Sequence, residues 1–346
     1  MICAKAGRDA PGVASDTRAT NGRDGCFDEL QPRPLSRPPV DPASFTVTFF
    51  ARCPAGELAP MTASPADHVS TNAVTLAGKR LALIGAGTMG AAIAGGLSEA
   101  GMFPHATLSI VDVHWDAAER LAARIPGATA TDLTAALTDA DVVLVCVKPK
   151  DVADVLEAVA RVRATPPWPL VISIAAGVTI GSMEARLPAG TPVIRAMPNT
   201  ASQIRKGCTV LSRGTHATDA DLSVARAIFA SVGTCLTLEE RHLDAVTAVS
   251  ASGPAFLYVV LEALTDGAVS VGLPRAAALE LVTRMTLGAA EMVLTTGRHP
   301  AALKDDVTTP GGCTIAGLMV LEDGRARSVL ARTIETTTKV AAGLGK

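Results

Sequence analysis

The sequence has 346 residues, which is long enough for two domains that each bury their own core. Its 31 Lys and Arg side chains nearly balance 33 Asp and Glu side chains, for a formal net charge of −2. This balance provides no extended basic surface for nucleic acid or an anionic membrane, so we expect a small-molecule substrate and neither of those partners. The seven cysteines and six histidines form no pair at metal-ligand spacing, which predicts no metal site and reduced thiols in a cytoplasmic protein.

The first stretch, residues 1–77, contains proline-rich runs and no sustained apolar period. It cannot bury enough apolar surface to offset the entropy lost on ordering, so we predict a disordered extension. Arg8 and Asp9 fall where a secretory signal needs its apolar core, and repeated acidic residues argue against a transit peptide. The alternative is that translation begins at Met61.

From Lys79 onward, short aliphatic runs alternate with Ala-rich segments. Runs without polar alternation are typical of strands that are covered on both faces. We therefore predict an α/β fold in which residues 78–238 form a Rossmann-type domain, a doubly wound parallel sheet with helices on both faces. The predicted strands are 80–84, 107–112, 142–147, 170–174, 193–195 and 209–211.

After Leu238 the strand signals end and only helical patterns follow, which predicts an all-α domain over residues 239–346. The predicted helices are 243–249, 255–271, 275–295 and roughly 315–344. The second of these is apolar on nearly all sides, so we expect another subunit to bury it and the chain to form a homodimer. Glu262 and Asp266 interrupt the same segment, which is also too short to span a bilayer, so we predict no transmembrane helix.

A glycine-rich turn joins the first predicted strand to an Ala-rich helix predicted over residues 91–100, and it reads Gly85-Ala86-Gly87-Thr88-Met89-Gly90. Gly85 permits a tight turn, Gly87 lets the backbone approach a pyrophosphate, and Gly90 lets helix and strand pack closely. The phosphates would then bind at the helix N-terminus. The strand–turn–helix context predicts a dinucleotide site, with a plain tight turn as the alternative.

Asp112 ends the second predicted strand, about twenty residues beyond the glycines, where a carboxylate binds the ribose 2′-hydroxyl of NAD. A site for NADP would prefer a cation, and no Arg is adjacent to Asp112, so this position favours NADH over NADPH. The alternative is an ordinary acidic loop residue. Lys148 follows the third predicted strand and should lie at the same ligand-binding edge, unless it is simply a surface lysine.

Six motifs occur in an order that we associate with one family. They are Gly85-Ala86-Gly87-Thr88-Met89-Gly90, Val147-Lys148-Pro149, Ala176-Gly177, Arg195-Ala196-Met197-Pro198-Asn199-Thr200, Ser252-Gly253-Pro254-Ala255-Phe256 and Thr309-Pro310-Gly311-Gly312-Cys313-Thr314-Ile315-Ala316-Gly317. With them, the sequence from Lys79 to the C-terminus resembles the pyrroline-5-carboxylate reductases. Where that family usually has Asn, Pro, Gly and Ser, this sequence has Thr88, Ala201, Ala251 and Thr309.

The resemblance implies reduction of 1-pyrroline-5-carboxylate to L-proline, the last step of proline biosynthesis, with hydride transfer from NADPH or NADH. It also implies a homodimer formed through the C-terminal helices and often assembled further into a decamer. Asn199 follows the fifth predicted strand and is expected near the nicotinamide, with an Asx turn as the alternative. The predicted cofactor-binding residues are Gly85, Ala86, Gly87, Thr88, Met89, Gly90, Asp112, Val147, Lys148, Pro149, Ala176 and Asn199.

The segment 309–315 carries the features of a substrate site. Its Pro-Gly-Gly run cannot continue a helix, and a new helix opens directly after it, so free N–H groups could bind a carboxylate. The hydroxyl of Thr314 would hydrogen-bond the ring nitrogen and is the predicted catalytic contact. The predicted substrate-binding residues are Thr309, Gly311, Gly312, Cys313 and Thr314. The alternative is that both threonines are only helix caps.

Three other functions compete with this interpretation. A 3-hydroxyacid dehydrogenase needs a lysine on the interdomain helix, but no lysine occurs between Lys206 and Lys304. A short-chain dehydrogenase needs a Tyr–Lys pair, but the single tyrosine, Tyr258, has Glu262 four residues later. A non-catalytic dinucleotide sensor would share the glycine-rich turn but would not need a second site for a carboxylate.

Overall fold

The computed structural model describes residues 76–102 and 107–344. The predicted disordered extension over residues 1–77 and the alternative start at Met61 lie outside these residues, apart from Leu76 and Ala77. All described residues belong to one compact unit of the chain.

Eight strands form a single sheet, in the order β3-β2-β1-β4-β5-β6-β7-β8. They are β1 (Arg80–Ile84), β2 (Thr107–Val111), β3 (Ala128–Ala130), β4 (Val142–Val145), β5 (Leu170–Ser173), β6 (Val193–Met197), β7 (Gly207–Arg213) and β8 (Gly233–Thr237). β1 pairs with both β2 and β4, so the strand order reverses there. In open α/β sheets, ligands bind at the carboxyl ends of the strands beside such a reversal.

The sheet is mixed, so the prediction of a fully parallel sheet was wrong in this respect. β7 pairs antiparallel with β6, and β8 runs parallel to β7. The link between β6 and β7 contains only a 3₁₀ turn, Thr200–Ile204, and it is too short for the crossover helix that a parallel neighbour requires. β3 and β8 were missed because these edge strands are short or partly exposed and lack a continuous aliphatic run.

Helices cover both faces of the sheet, which confirms the doubly wound prediction. Leu81 and Leu83 of β1 point into one hydrophobic core, whereas Ala82 and Ile84 point into the other. The covering helices are α1 (Thr88–Glu99), α2 (Trp115–Ala122), α3 (Leu133–Thr138), α4 (Val152–Val162), α5 (Ile180–Glu184) and α6 (Asp219–Ala230).

After β8 the described chain is helical. A 3₁₀ turn, Glu240–His242, leads into α7 (Leu243–Val246) and a π-helical turn (Thr247–Ala251). The remaining helices are α8 (Gly253–Ser270), α9 (Arg275–Thr296), α10 (Pro300–Asp306), α11 (Cys313–Asp323) and α12 (Ala326–Ala341). The prediction of a single final helix over roughly 315–344 was wrong. The helix is interrupted at Gly324 and Arg325, and Arg325 has a φ of 54°.

The helical part exposes much apolar surface in the single chain. Thr265 is the one buried residue of α8, whereas Val259 is 63% exposed and Leu294 on α9 is 83% exposed. The helical run Glu240–Ser270 is long and apolar enough to cross a membrane by length and composition alone. Core helices of soluble proteins pass the same test, so the absence of a transmembrane helix stays a prediction.

Candidate active site

The glycine-rich turn has the geometry that its sequence predicts. Gly85 has a φ of 110°, and a Cβ there would lie 2.7 Å from the carbonyl oxygen of Cys146. A Cβ on Gly90 would lie 2.0 Å from the carbonyl oxygen of Gly85, so only glycine lets α1 pack this closely on the turn. No atom lies within 4 Å of the corresponding point at Gly87, which leaves open space on the side where phosphates would approach.

The N-terminus of α1 is free to bind an anion. Gly87 is its N-cap, no side chain caps it, and its first turn contains no acidic residue. The first N–H groups of a helix have no partner within the helix, and the helix dipole adds partial positive charge there. These groups could therefore hold a pyrophosphate.

Asp112 is held against the same turn. Its Oδ2 accepts a hydrogen bond from the Ala86 N–H at 2.7 Å, and its Oδ1 accepts one from the His114 N–H at 2.8 Å. Each carboxylate oxygen can accept more than one hydrogen bond, so ribose hydroxyls could still bind. The arrangement fits a dinucleotide whose ribose lies beside the turn.

The loops after β4 and β5 lie at the same carboxyl edge of the sheet, because β1, β2, β4, β5 and β6 all run parallel. Lys148 is exposed there, next to Val147 and to Pro149, which opens a short 3₁₀ turn. Ala176 is half-buried and packs against a small core cluster formed by Met197, Val210 and Leu243. The structure thus brings the predicted cofactor-binding residues to one edge.

Asn199 connects this edge to the helical part. Its Nδ2 donates a hydrogen bond to Oγ of Ser250, and its Oδ1 accepts one from the Cys208 N–H, both at 3.2 Å. Ser250 belongs to the π-helical turn and also donates to the carbonyl oxygen of Cys208 at 3.3 Å. The Asx-turn alternative was therefore wrong, because the amide oxygen binds a neighbouring strand instead of the next residues of its own loop.

The predicted substrate segment leads into a helix whose N-terminus has no side-chain cap. α11 begins at Cys313 with Gly312 as its N-cap, and no side chain caps it. The alternative that Thr309 and Thr314 merely cap this helix was therefore wrong. Gly311 has a φ of 68°, which favours glycine, and a Cβ on Gly312 would contact Oγ1 and the carbonyl oxygen of Thr309, so a larger residue there would need this turn to shift.

Among the described residues, α11 forms no extensive contact with α1, the helix that follows the glycine-rich turn. α11 packs against α12, which packs against α7 and the π-helical turn. A cavity of about 520 Å³ lies near the carboxyl edge, between Pro149, Val178 and Leu344, but residues 309–314 do not line it. One chain alone therefore does not bring the two predicted halves of the site together.

Sequence reasoning missed the buried charge at the junction between sheet and helices. Arg195 lies within the aliphatic run of β6 and is 3% exposed, and it forms an ion pair with Glu240 at 2.9 Å. A lone charge in an apolar strand was a usable signal, because arginine is almost never fully buried unless it is paired. Its partner could not be found from sequence, since it lies 45 positions away.

The cysteines of the described residues do not form a reactive centre at the glycine-rich turn. Burial raises the pKa of the Cys146 thiol well above its usual range, and burial raises the pKa of Cys235 to about 12. A protonated thiol is a poor nucleophile and a poor metal ligand. Across residues 76–102 and 107–344, no three His, Cys, Asp or Glu side chains are placed to share a metal ion.

Comparison with known proteins gives the family. The profile "Pyrroline-5-carboxylate reductase dimerisation" matches residues 240–344, and "NADP oxidoreductase coenzyme F420-dependent" matches residues 80–177. A pyrroline-5-carboxylate reductase of Methanosarcina acetivorans is 38% identical over 268 residues, which cover 78% of this chain and 98% of the relative. The chain belongs to the pyrroline-5-carboxylate reductase family. The Schizosaccharomyces pombe reductase is 46% identical over 206 residues, 60% of this chain and 72% of its own length.

Solved structures of pyrroline-5-carboxylate reductases have the same fold. The Coxiella burnetii reductase aligns with a TM-score of 0.72 and 31% identity, over 78% of this chain and 99% of its own. The Plasmodium falciparum reductase with NADP bound aligns with a TM-score of 0.68 and 25% identity, over 78% of this chain and 100% of its own. The predicted family and fold class are thus confirmed, and the family uses NAD(P)H and associates through its helical domain.

Proposed function

We propose that this chain reduces 1-pyrroline-5-carboxylate to L-proline with NADH or NADPH. The observation that carries the proposal is a pair of helices, α1 and α11, that each begin at a glycine N-cap without a capping side chain. Each therefore offers free N–H groups to an anion. The first lies beside Asp112 and suits a dinucleotide pyrophosphate, and the second suits the substrate carboxylate.

The chemistry requires little acid–base help from the protein. The pyrroline nitrogen is readily protonated, and the nicotinamide supplies a hydride to the imine carbon. As that bond forms, the electron pair of the C=N double bond moves to the ring nitrogen, which already carries a proton. The N–H groups at Cys313 and Thr314 would hold the carboxylate, and the Thr314 hydroxyl would hydrogen-bond the ring nitrogen. Orientation of the two reactants then dominates the rate.

The direct test follows the loss of reduced-cofactor absorbance with pyrroline-5-carboxylate. Thr314→Ala should lower kcat/KM by about 10- to 100-fold, as expected for loss of a positioning hydrogen bond. Thr314→Ser keeps the hydroxyl and is the matched control, so it should stay near wild type. A chain that binds NADH but does not oxidise it would be a dinucleotide sensor. Unchanged kcat and KM in Thr314→Ala would show that the Thr314 hydroxyl does not contact the substrate.

Asp112 supports a preference for NADH within this activity. Its carboxylate is fixed by two backbone N–H groups beside the turn, where a 2′-phosphate would meet a like charge. Asp112→Ser should therefore shift the ratio of kcat/KM values toward NADPH by about tenfold or more, equivalent to about 1.4 kcal/mol. Strong NADPH preference in the wild-type enzyme would contradict this assignment.

The oligomer is proposed to be a homodimer that buries α8 and α9, with further assembly into a decamer. Support comes from the apolar side chains that these helices expose in the single chain, and from the dimerisation profile that matches residues 240–344. Light scattering at micromolar concentration should give at least twice the mass of one chain. A monomer at that concentration would contradict the dimer, and a stable dimer without larger species would contradict the decamer.

A further inference from the structure

Arg195 lies in the middle of the sheet with almost no access to solvent. It is 3% exposed, and the buried serines Ser173 on β5 and Ser212 on β7 lie beside it in register. A buried guanidinium must be paired, because an uncompensated charge in such a place is strongly destabilising. These two neighbours in register are neutral, so the compensating negative charge has to come from outside the sheet.

That compensation comes from the first turn of the helical part. Oε1 of Glu240 accepts a hydrogen bond from Nη1 of Arg195 at 2.9 Å and another from the Ile180 N–H at 2.7 Å. Oδ1 of Asp244 lies 4.0 Å from Nη2 of Arg195, beyond hydrogen-bond distance. Nε and Nη2 of Arg195 have no hydrogen-bond partner among the described residues. One carboxylate oxygen of Glu240 therefore binds two groups, the Arg195 guanidinium and the Ile180 N–H.

Both groups that Glu240 holds belong to segments at the cofactor edge. Ile180 opens α5, directly after the loop that contains Ala176. Arg195 lies on β6, directly before the loop that contains Asn199, and this loop is tied a second time through Ser250. Glu240 thus joins two loops of the sheet to the helical part. The carboxylate of Asp112 accepts its hydrogen bonds from Ala86 and His114, so among the described residues it is not part of this group.

We propose that Glu240 is a positioning residue that, through Arg195 and the Ile180 N–H, fixes the loops carrying Ala176 and Asn199 for the nicotinamide half of the dinucleotide. The proposal rests on the proposed function for the identity of the cofactor. It separates the site into two parts. The adenosine half depends on the glycine-rich turn and Asp112, and the nicotinamide half depends on the connection between sheet and helices.

This separation defines the experiment. In the full-length protein, Glu240→Gln keeps an oxygen acceptor but removes the charge that holds Arg195. It should weaken NADH binding about tenfold, the cost of one charge-assisted hydrogen bond, and leave binding of ADP-ribose unchanged. Glu239→Gln is the matched control. The carboxylate of Glu239, the residue before Glu240, forms an exposed ion pair with Arg241 at 3.0 Å, so its loss should leave NADH binding unaffected.

A second variant keeps the test valid if Glu240→Gln is poorly folded. Arg195→Met combined with Glu240→Gln removes both charges, so no unpaired charge stays buried and thermal stability should recover relative to the single variant. NADH binding should nevertheless remain weak in the double variant. A double variant with wild-type NADH affinity would overturn the proposal, and so would a parallel loss of NADH and ADP-ribose binding. Wild-type protein that binds NADH but does not reduce pyrroline-5-carboxylate would refute only the proposed function.

Discussion

Two glycines three positions apart should respond differently to the same substitution. Gly87 has a φ of −69° and open space where a Cβ would lie. Gly90 would place its Cβ 2.0 Å from the carbonyl oxygen of Gly85. Changing each to alanine therefore separates cofactor binding from the packing of α1 on the turn.

The expected magnitudes follow from these contacts. A Cβ at Gly90 would lie well inside van der Waals contact with the carbonyl oxygen of Gly85, so Gly90→Ala must move α1 away from the turn. Overpacking of this kind costs about 1–3 kcal/mol, which lowers the unfolding midpoint by several degrees. Gly87→Ala introduces no clash, so stability should change by less than about 1 kcal/mol. Its methyl group would, however, occupy the space that the pyrophosphate needs, and NADH affinity should fall about tenfold or more.

The assay combines thermal unfolding without ligand and NADH titration of the same preparations. Gly90→Ala should lower both the midpoint and the affinity, whereas Gly87→Ala should lower the affinity alone. Gly95→Ala is the control, because this glycine lies in α1 with no atom near its absent Cβ, and alanine there should raise the midpoint slightly. Wild-type NADH affinity in Gly87→Ala would refute the assignment of the turn as the pyrophosphate site.

Three further predictions concern other parts of the molecule. Burial alone would raise the pKa of Asp141, but hydrogen bonds from the Arg80 side chain and backbone outweigh it and lower the pKa. The ionised carboxylate therefore stabilises the fold at pH values above 3.8, the ordinary pKa of Asp, and this stabilisation is lost as the pH falls below 3.8. The drop in unfolding midpoint caused by Asp141→Asn should accordingly shrink between neutral pH and about pH 3. Cys146 and Cys235 should resist alkylation at about pH 8 until the protein is unfolded, because their thiols stay protonated, and site-resolved mass spectrometry would detect any early labelling. Val259→Glu should convert the oligomer to monomer or aggregate; if light scattering shows the wild-type mass, this residue lies outside the interface.

The local features of the site were predictable because short-range sterics determine them. Gly90 is required by a contact with Gly85, five positions away, and Gly85 itself has a positive φ within its own turn. The start of α11 follows from the Pro-Gly-Gly run before it. The direction of β7 was not predictable from strand pattern, because aliphatic runs look alike in parallel and antiparallel neighbours. The link between Arg195 and Glu240 depends on how sheet and helices dock, and no local rule specifies that pairing.

The helical part shows why a sequence pattern can describe an assembly better than a single chain. The pattern over 255–271 predicts burial on nearly all sides, yet Thr265 is the one buried residue of α8 in the isolated subunit. These two facts agree if apolar periodicity reflects the complete environment of a residue, including surfaces of a second copy. The dimerisation profile matches the same part of the chain, residues 240–344. The segment around Thr314 lies within it, so the half of the site that one chain leaves apart from the glycine-rich turn belongs to the part of the chain that the dimerisation profile covers.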